Sequence, residues 1–241
     1  MLKRTIKKEK LKSVYLDETK EILVFLPGEE SSWQKNYPLL VLHDGNDYFN
    51  LGRIVTQAVP MIHNGQLDPF VMVAVPVDKE KRTSEYAPSG KRQSLHMQMV
   101  IQELLPLIRE KYPVSPSRED LVIGGSSLGG TVSLHIALKY PEQVKNVLSQ
   151  SGAFLEETNE EILRQQSLAH LRIYQSIGTS ETSVPTHMGN LDLLARNREI
   201  CRNLKEKNAQ VHYVEEDGDH TWGFWQRDLP NALKYFFGPD L

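Results

Sequence analysis

Residues 122–142 of the chain read VIGGSSLGGTVSLHIALKYPE, and this stretch decides the fold prediction. An apolar run ends in Gly-Ser-Ser-Leu-Gly at residues 125–129, and a helical pattern begins at once. A turn this tight leaves no room for side chains around the central residue, so glycines flank it. Its strained backbone exposes the hydroxyl of Ser127. The stretch therefore predicts a nucleophilic serine, with a packing turn that carries no chemistry as the alternative.

The rest of the chain alternates in the same way between apolar runs and helical patterns. The later runs are mostly apolar, which is typical of strands covered by helices on both faces. The first two strands, near 12–17 and 21–26, are close enough for an antiparallel hairpin. The later predicted strands are 38–45, 70–76, 120–125, 146–152, 172–178 and 210–216. We therefore expect an α/β fold with a mostly parallel central sheet and an antiparallel leading edge, in a single domain over 1–241.

Helical patterns separate these strands. Pro106 predicts a kink or an early break in the first of them. The next helix should stop before Pro141. The predicted helices are 94–112, 128–140, 188–208 and 224–237.

Composition excludes several classes of function. The net charge of −3 argues against nucleic acid as the main partner. No apolar run reaches the ~18 residues of a membrane helix, and the basic residues 1–13 are not followed by the apolar stretch of a secretory signal. Cys201 is the only cysteine, so an internal disulfide is impossible and Cys201 is expected to be a buried structural thiol. We therefore expect a cytoplasmic protein without a membrane partner.

A serine hydroxyl needs a base to take its proton, and five histidines follow Ser127. His220 stands between the last predicted strand and the last predicted helix, where folds with such a turn place their base. His220 is therefore the predicted base, with a surface or capping histidine as the alternative. His187, in a polar loop, stays open. The others lie within or beside predicted helices and strands: His135, His170 and His212.

The acid is expected after strand 172–178, because the chain order in such folds is serine, acid, histidine. Glu181 is the first carboxylate there, and it would hold the imidazole tautomer and stabilise its positive charge. Asp192 is the second candidate, in the region of the next predicted helix. Asp219 is more typical of a loop-forming residue. A serine–histidine pair with a weak or absent acid is a further alternative.

Two backbone N–H groups are expected to bind the oxyanion that forms during catalysis. The first belongs to Leu128. The second is expected in HDGND, where Gly45 allows close backbone approach, with Asn46 as an alternative donor and a candidate substrate contact. An ordinary turn is the other interpretation of this segment. Asp44 and Asp47 lack the further ligands of a metal loop, so no metal is expected.

These segments resemble the esterase family of the α/β-hydrolase superfamily that contains esterase D-like, feruloyl, acetyl-xylan and enterochelin (trilactone siderophore) esterases. The resemblance runs from ILVFLP to LKYFFG. It is most specific in LVLHDGNDYF, RTSEYAPSG, ELLPLIREKYPVSPSREDLVIGGSSLGG, ALKYPEQVKNVLSQSGAF and DGDHTWGFWQRDLPNALKYF. It implies the α/β-hydrolase fold and intracellular hydrolysis of ester or lactone bonds without a cofactor.

The resemblance also implies roles for individual residues. Ser127 matches the nucleophile and His220 the base. Glu181 matches the acid position less closely, because many relatives carry Asp there. Lys81 departs from the relatives, which often have an acidic residue or asparagine at that position. The oxyanion-hole positions are matched by Gly45 and Leu128.

Residues 78–92, DKEKRTSEYAPSGKR, follow a predicted strand and are expected at the mouth of the site. Their basic side chains would attract a negatively charged ferric siderophore, and Arg82 is the candidate contact. Acidic residues in the same segment favour a solvated loop of mixed charge instead. Trp222 and Trp225 could stack on an aromatic acyl or catechol group, or they could pack the last helix onto the sheet. Their helical spacing favours a core role for at least one of them.

The sequence therefore predicts a serine carboxylic-ester hydrolase that forms an acyl-enzyme with a small-molecule ester, siderophore lactones and esters among the candidates. An acyltransferase or a carbohydrate (acetyl or feruloyl) esterase would use the same residues. A catalytically silent binding scaffold is the alternative of a different class. Its signature would be a damaged triad, which the sequence does not have.

Overall fold

The computed structural model describes residues 4–33, 36–186 and 189–239. Eight strands form the central sheet, and two short ones form a separate antiparallel ribbon. The strands are β1 (Arg4–Ser13), β2 (Glu18–Pro27), β3 (Leu39–His43), β4 (Val71–Val75), β5 (Leu121–Ser126), β6 (Asn146–Gln150), β7 (Arg172–Gly178), β8 (Val184–Thr186), β9 (Gly189–Leu191) and β10 (Gln210–Glu216).

The strand order in the sheet is β1-β2-β4-β3-β5-β6-β7-β10. The pairs β1–β2 and β2–β4 are antiparallel, and all later pairs are parallel. This confirms the predicted parallel sheet with an antiparallel leading edge. The ribbon outside the sheet consists of β8 and β9.

Helices connect the strands and cover the sheet. They are α1 (Gly45–Asn50), α2 (Ile54–His63), α3 (Arg82–Tyr86), α4 (Gln93–Gln98), α5 (Leu105–Lys111), α6 (Leu128–Lys139), α7 (Glu156–Arg164), α8 (Leu193–Glu206) and α9 (Trp222–Phe237). A π-helical segment, Met99–Leu104, joins α4 to α5 just before Pro106. The predicted interruption at Pro106 thus takes the form of a change in helical winding. In the described part of the chain, no helix is long and apolar enough to cross a bilayer.

Both faces of the sheet are buried, as strand β3 illustrates. All five of its residues are buried. Leu39 and Val41 pack in the cluster that contains residues of α3 to α8, whereas Leu40 and Leu42 pack in the cluster with α1, α2 and α9. Because successive side chains of a strand point to opposite faces, helices cover the sheet on both sides.

The first hairpin lies earlier in the chain than predicted. The first strand was expected near 12–17, but β1 ends at Ser13 and residues 14–17 form the turn, with Asp17 at φ 51°. Lysines alternate along β1 on this edge of the sheet, and Lys8 pairs with Glu21 across the hairpin at 2.8 Å. A charged edge strand of this kind hinders pairing with other chains, and its pattern is weakly apolar.

The topology brings five loops together. The strands β3, β5, β6, β7 and β10 run parallel, so their carboxyl ends meet at one edge of the sheet. The chain places a polar side chain or a glycine in the loop that follows each of these ends, or at the first residue of the next helix. These residues are Gly45, Ser127, Ser151, Glu181 and His220.

Candidate active site

Ser127 occupies the turn between β5 and α6 with φ 55° and ψ −126°, a conformation that is strained for any residue with a side chain. A Cβ on Gly125 would lie 2.6 Å from the carbonyl carbon of Gly129, so neither the turn nor the helix start has room for one. Backbone hydrogen bonds hold the turn: Ser127 donates to Gln150 O at 2.9 Å and accepts from Ala153 at 3.1 Å. The predicted tight turn at residues 125–129 is therefore present, and we call it the nucleophile elbow.

The structure brings together the three predicted side chains, although 93 and 39 residues separate the bonded pairs in sequence. His220 Nε2 lies 2.9 Å from Ser127 Oγ, and His220 Nδ1 lies 2.6 Å from Glu181 Oε2. A carboxylate only accepts, so Nδ1 carries the proton and Nε2 is left to accept from the serine hydroxyl. In that tautomer the ring can take a proton from Ser127.

Glu181 is fully buried, and hydrogen bonds hold both of its carboxylate oxygens. Oε2 faces His220, and Oε1 accepts from Ser151 Oγ at 2.6 Å and from Gly178 N–H at 2.9 Å. Its backbone carbonyl accepts from the first two N–H groups of α8. A buried carboxylate with three donors is fixed in one orientation and compensated for its lost hydration.

The alternative acid and the other histidines are engaged elsewhere. Asp192 caps α8, where its side chain accepts from Ala195 N–H at 2.8 Å. His135 lies 3.0 Å from the hydroxyl of Thr158 on α7, and burial lowers its pKa to about 4. His212 stacks against the rings of two tyrosines, and His170 lies in the turn before β7. His187 lies outside the described residues.

Gly45 and Leu128, the two predicted oxyanion donors, are the first residues of α1 and α6. The first N–H groups of a helix have no acceptor within the helix, and they favour negative charge nearby. A Cβ on Gly45 would lie 2.3 Å from Ala74 Cα, so only glycine fits this close to β4.

Arg82, the predicted substrate contact, forms a two-pronged ion pair with Asp44. Its Nε lies 2.8 Å from Oδ1 and its Nη2 lies 2.7 Å from Oδ2. Burial by itself would lower the pKa of Arg82, but the Asp44 carboxylate raises it. Nη2 also lies 3.5 Å from the carbonyl oxygen of Ser126. Arg82 thus joins the loop of Gly45 to the elbow, and its charge is already compensated.

A cavity of about 250 Å³ opens at Ser127. A second cavity, about 390 Å³, shares Asp44, Asp47 and Arg82 with it and is lined in addition by Asn46. The lining of the first cavity is Asp44, Asp47, Arg82, Ser126, Ser127, His220, Trp222 and Trp225.

The two tryptophans of α9 have different environments. Trp222 is half-buried, and its ring meets Tyr48 edge-on at 4.9 Å. Trp225 is 6% exposed, and its ring meets His220 edge-on at 5.1 Å. The expectation that at least one of them has a core role is confirmed for Trp225.

Sequence reasoning did not find Ser151 or the indole N–H of Trp225, which donates to Ser151 Oγ at 2.8 Å. The available signal was SQSG at residues 149–152, a polar group at the end of a buried strand. Placement at the same sheet edge as Ser127 would have made Ser151 a candidate.

A buried ionic cluster surrounds Glu85, on the helix α3 that also contains Arg82. Glu85 on α3 is fully buried, 3.2 Å from Lys20 Nζ on β2 and 3.3 Å from Arg92 Nη2. His96 Nδ1 is also 3.3 Å away, close enough for an ion pair but without the alignment of a hydrogen bond. Burial by itself would raise the pKa of Glu85, but His96 and Lys20 lower it to about 2.

We expect this cluster to make the protein sensitive to acid. The folded-state pKa of Glu85, about 2, is below the ordinary value of 4.5, so its stabilising effect is complete above pH 4.5 and lost as the pH falls toward 2. The difference corresponds to about 3 kcal/mol of unfolding free energy. Urea unfolding between about pH 3.5 and 6 should show that Glu85→Gln removes this pH dependence. The control Glu21→Gln changes an exposed carboxylate and should keep it, whereas parallel profiles for wild type and Glu85→Gln would contradict the assignment.

Comparisons with known proteins identify a family and relatives of this chain. Residues 13–236 match the model of a family described as "Putative esterase". The uncharacterised protein YjcH of Bacillus subtilis (strain 168) is 35% identical over 232 residues, covering 95% of this chain and 96% of YjcH. The Iron(III) enterobactin esterase of Escherichia coli (strain K12) is 30% identical over 232 residues, covering 92% of this chain and 54% of that protein.

A solved structure is similar throughout the chain. The enterobactin esterase FES from Shigella flexneri, crystallised in the presence of enterobactin, superposes with a TM-score of 0.82 at 26% identity. The alignment covers 98% of this chain and 59% of FES. The chain therefore spans somewhat more than half the length of the enterobactin esterases it matches.

Proposed function

Because the chain belongs to the family described as "Putative esterase" and has the α/β-hydrolase fold, we propose that it hydrolyses carboxylic esters of small molecules through an acyl-enzyme on Ser127. The observation that carries this proposal is the hydrogen-bonded series from Ser127 Oγ through His220 to Glu181, with distances of 2.9 and 2.6 Å. Nucleophile, base and orienting acid stand in the order that nucleophilic catalysis requires.

Acylation begins when Ser127 Oγ attacks the carbonyl carbon of the ester and His220 Nε2 takes its proton. Glu181 stabilises the imidazolium that forms. The backbone N–H groups of Leu128 and Gly45 bind the oxyanion, and each such donor contributes about 3–4 kcal/mol in other serine hydrolases. Collapse of the tetrahedral intermediate breaks the ester bond, and His220 gives its proton to the departing alcohol.

Deacylation repeats these steps with water. His220 Nε2 takes a proton from a water molecule as its oxygen attacks the acyl carbon, and the same N–H groups bind the second oxyanion. When this intermediate collapses, the proton returns to Ser127 Oγ and the carboxylic acid leaves. An alcohol in place of water would make the same residues an acyltransferase, so added acceptor alcohols belong in the first assays.

Siderophore lactones and esters are the first natural substrates to test, because two of the similar proteins are named as enterobactin esterases. Trp222 and Trp225 line the cavity at Ser127, and an aromatic acyl group is suited to such walls. The pairing of Arg82 with Asp44 leaves little uncompensated positive charge beside the serine. Acetyl and feruloyl esters of carbohydrates therefore belong in the same panel.

A covalent label tests the proposal directly. A fluorophosphonate is expected to add one label per chain, on the peptide that contains Ser127, and to stop hydrolysis of p-nitrophenyl acetate as it does so. Intact-protein and peptide mass spectrometry locate the label. Ser126→Ala, which removes the neighbouring hydroxyl, should keep the label, and Ser127→Ala should lose both label and hydrolysis. A label on another residue, or hydrolysis by folded Ser127→Ala, would refute the proposed nucleophile.

A further inference from the structure

The hydrogen-bonded series of the site continues beyond Glu181. Ser151 Oγ lies 2.6 Å from Glu181 Oε1, and the indole Nε1 of Trp225 lies 2.8 Å from Ser151 Oγ. Ser151 is fully buried and Trp225 nearly so. Five side chains thus form one series, from Trp225 through Ser151, Glu181 and His220 to Ser127.

The chemistry of the indole fixes the direction of these bonds. An indole N–H only donates, so Ser151 Oγ must accept from Trp225. The single hydroxyl proton of Ser151 is then free to point at Glu181 Oε1, which also accepts from Gly178 N–H at 2.9 Å. Two donors fix Oε1 in place, so Oε2 is the oxygen directed at His220.

The backbone at Ser151 supports a role for its side chain. Ser151 has φ 49°, in the left-handed region where glycine is more favourable than serine. Its N–H donates to Ser176 O at 2.7 Å, so the backbone conformation is held by β7. A glycine would satisfy the backbone at less cost, but it would leave Glu181 without the hydroxyl donor.

We propose that Ser151 and Trp225 are positioning residues, whose hydrogen bonds keep Glu181 aimed at His220 and offset part of its negative charge, and so set the pH range in which the site works. This inference rests on the proposed function, because it assigns the two residues to the same reaction. The rings of Trp225 and His220 also lie edge-on to each other at a centroid distance of 5.1 Å. Trp225 therefore contacts both His220 and Ser151.

The test replaces Ser151 with alanine and, separately, with glycine. We expect kcat for p-nitrophenyl acetate to fall by about 10–100-fold in both variants, as for other residues that orient a functional group from outside the reacting set. Without the hydroxyl, more negative charge remains on Glu181, which favours protonated His220. The acidic limb of the kcat/KM profile should therefore move to higher pH by about one pH unit.

Ser151→Gly separates this role from a structural one. Both variants lose the same hydroxyl, but only glycine relieves the backbone at φ 49°, so Ser151→Gly should melt at a higher temperature than Ser151→Ala while it loses activity to the same extent. Trp225→Phe keeps an aromatic ring but removes the N–H, and it should move the acidic limb in the same direction by a smaller amount. The matched control is Ser149→Ala in β6, two residues before Ser151: Ser149 is also fully buried, and its hydroxyl has no hydrogen-bond partner among the described residues.

The outcomes distinguish the positioning role from the proposed function. A folded Ser151→Gly with the kcat and pH profile of Ser149→Ala would overturn the positioning role and leave the esterase proposal in place. If wild type is inactive, or Ser127→Ala is active, the proposed function fails, and the positioning role fails with it. A slowed Ser151→Gly with an unchanged acidic limb would also contradict our assignment, because the loss would then not act through His220.

Discussion

Replacing His220 with alanine is expected to lower kcat for p-nitrophenyl acetate by about 10⁴-fold or more, with a smaller change in KM. His220 Nε2, at 2.9 Å from Ser127 Oγ, is the base in both halves of the proposed reaction. Without it the serine hydroxyl, with its high intrinsic pKa, must attack unassisted. The measurement is steady-state kinetics, with circular dichroism and the melting temperature to show that the variant is folded.

The choice of leaving group in the ester provides a second test of His220. p-Nitrophenol leaves readily without a proton, whereas an alkyl alcohol needs one from His220 Nε2. His220→Ala should therefore lose more activity toward an alkyl ester than toward a p-nitrophenyl ester of the same acid. His212→Ala, the control, removes an exposed histidine that stacks on Tyr174 and Tyr235, and it should leave both activities near wild type. Equal losses on both esters would contradict a proton donor at His220.

The sequence-based predictions succeed where the determining pattern is local. The elbow at Ser127 is specified by the glycines that its tight turn requires, and these are read directly in a short segment. Strands β3 and β4 are apolar throughout, and β5 is apolar up to its carboxyl end, because helices cover both faces, which makes these strands recognisable one at a time. His220 follows from chain order, since the fold brings the loop after the last strand beside the elbow.

The predictions were incomplete where the determining contact is remote. From its own segment, Arg82 was the candidate contact for a negatively charged substrate. In the structure its charge is compensated by Asp44, which lies 38 residues earlier in the chain. Ser151 has no motif of its own, and its role depends on Glu181 and Trp225 arriving from two other connections of the sheet. The position of β1 depends on pairing with β2, because its own residues are largely charged and have little apolar signal.

Glu181→Gln is expected to lower kcat by about 10³–10⁴-fold with little change in KM or folding. The physical reason lies in the donors around the carboxylate. Gly178 N–H is a fixed backbone donor 2.9 Å from Oε1, so the amide oxygen of glutamine must stay on that side. The amide NH₂ then faces His220 Nδ1 and can only donate to it, so Nδ1 must become an acceptor. His220 is held in the opposite tautomer, with a proton on Nε2, and can no longer take the proton of Ser127.

The same argument separates Glu181 from Asp192, the other carboxylate considered for this role. Asp192 accepts from Ala195 N–H at the start of α8, so Asp192→Asn should cost at most about 1 kcal/mol of stability and leave kcat unchanged. Glu181→Asp, in contrast, keeps the charge but shortens the side chain, and it should recover part of the activity lost in Glu181→Gln. A fully active Glu181→Gln would mean that Ser127 and His220 work as a pair without an acid. In that case the hydrogen bonds from Ser151 and Gly178 serve only to satisfy a buried carboxylate.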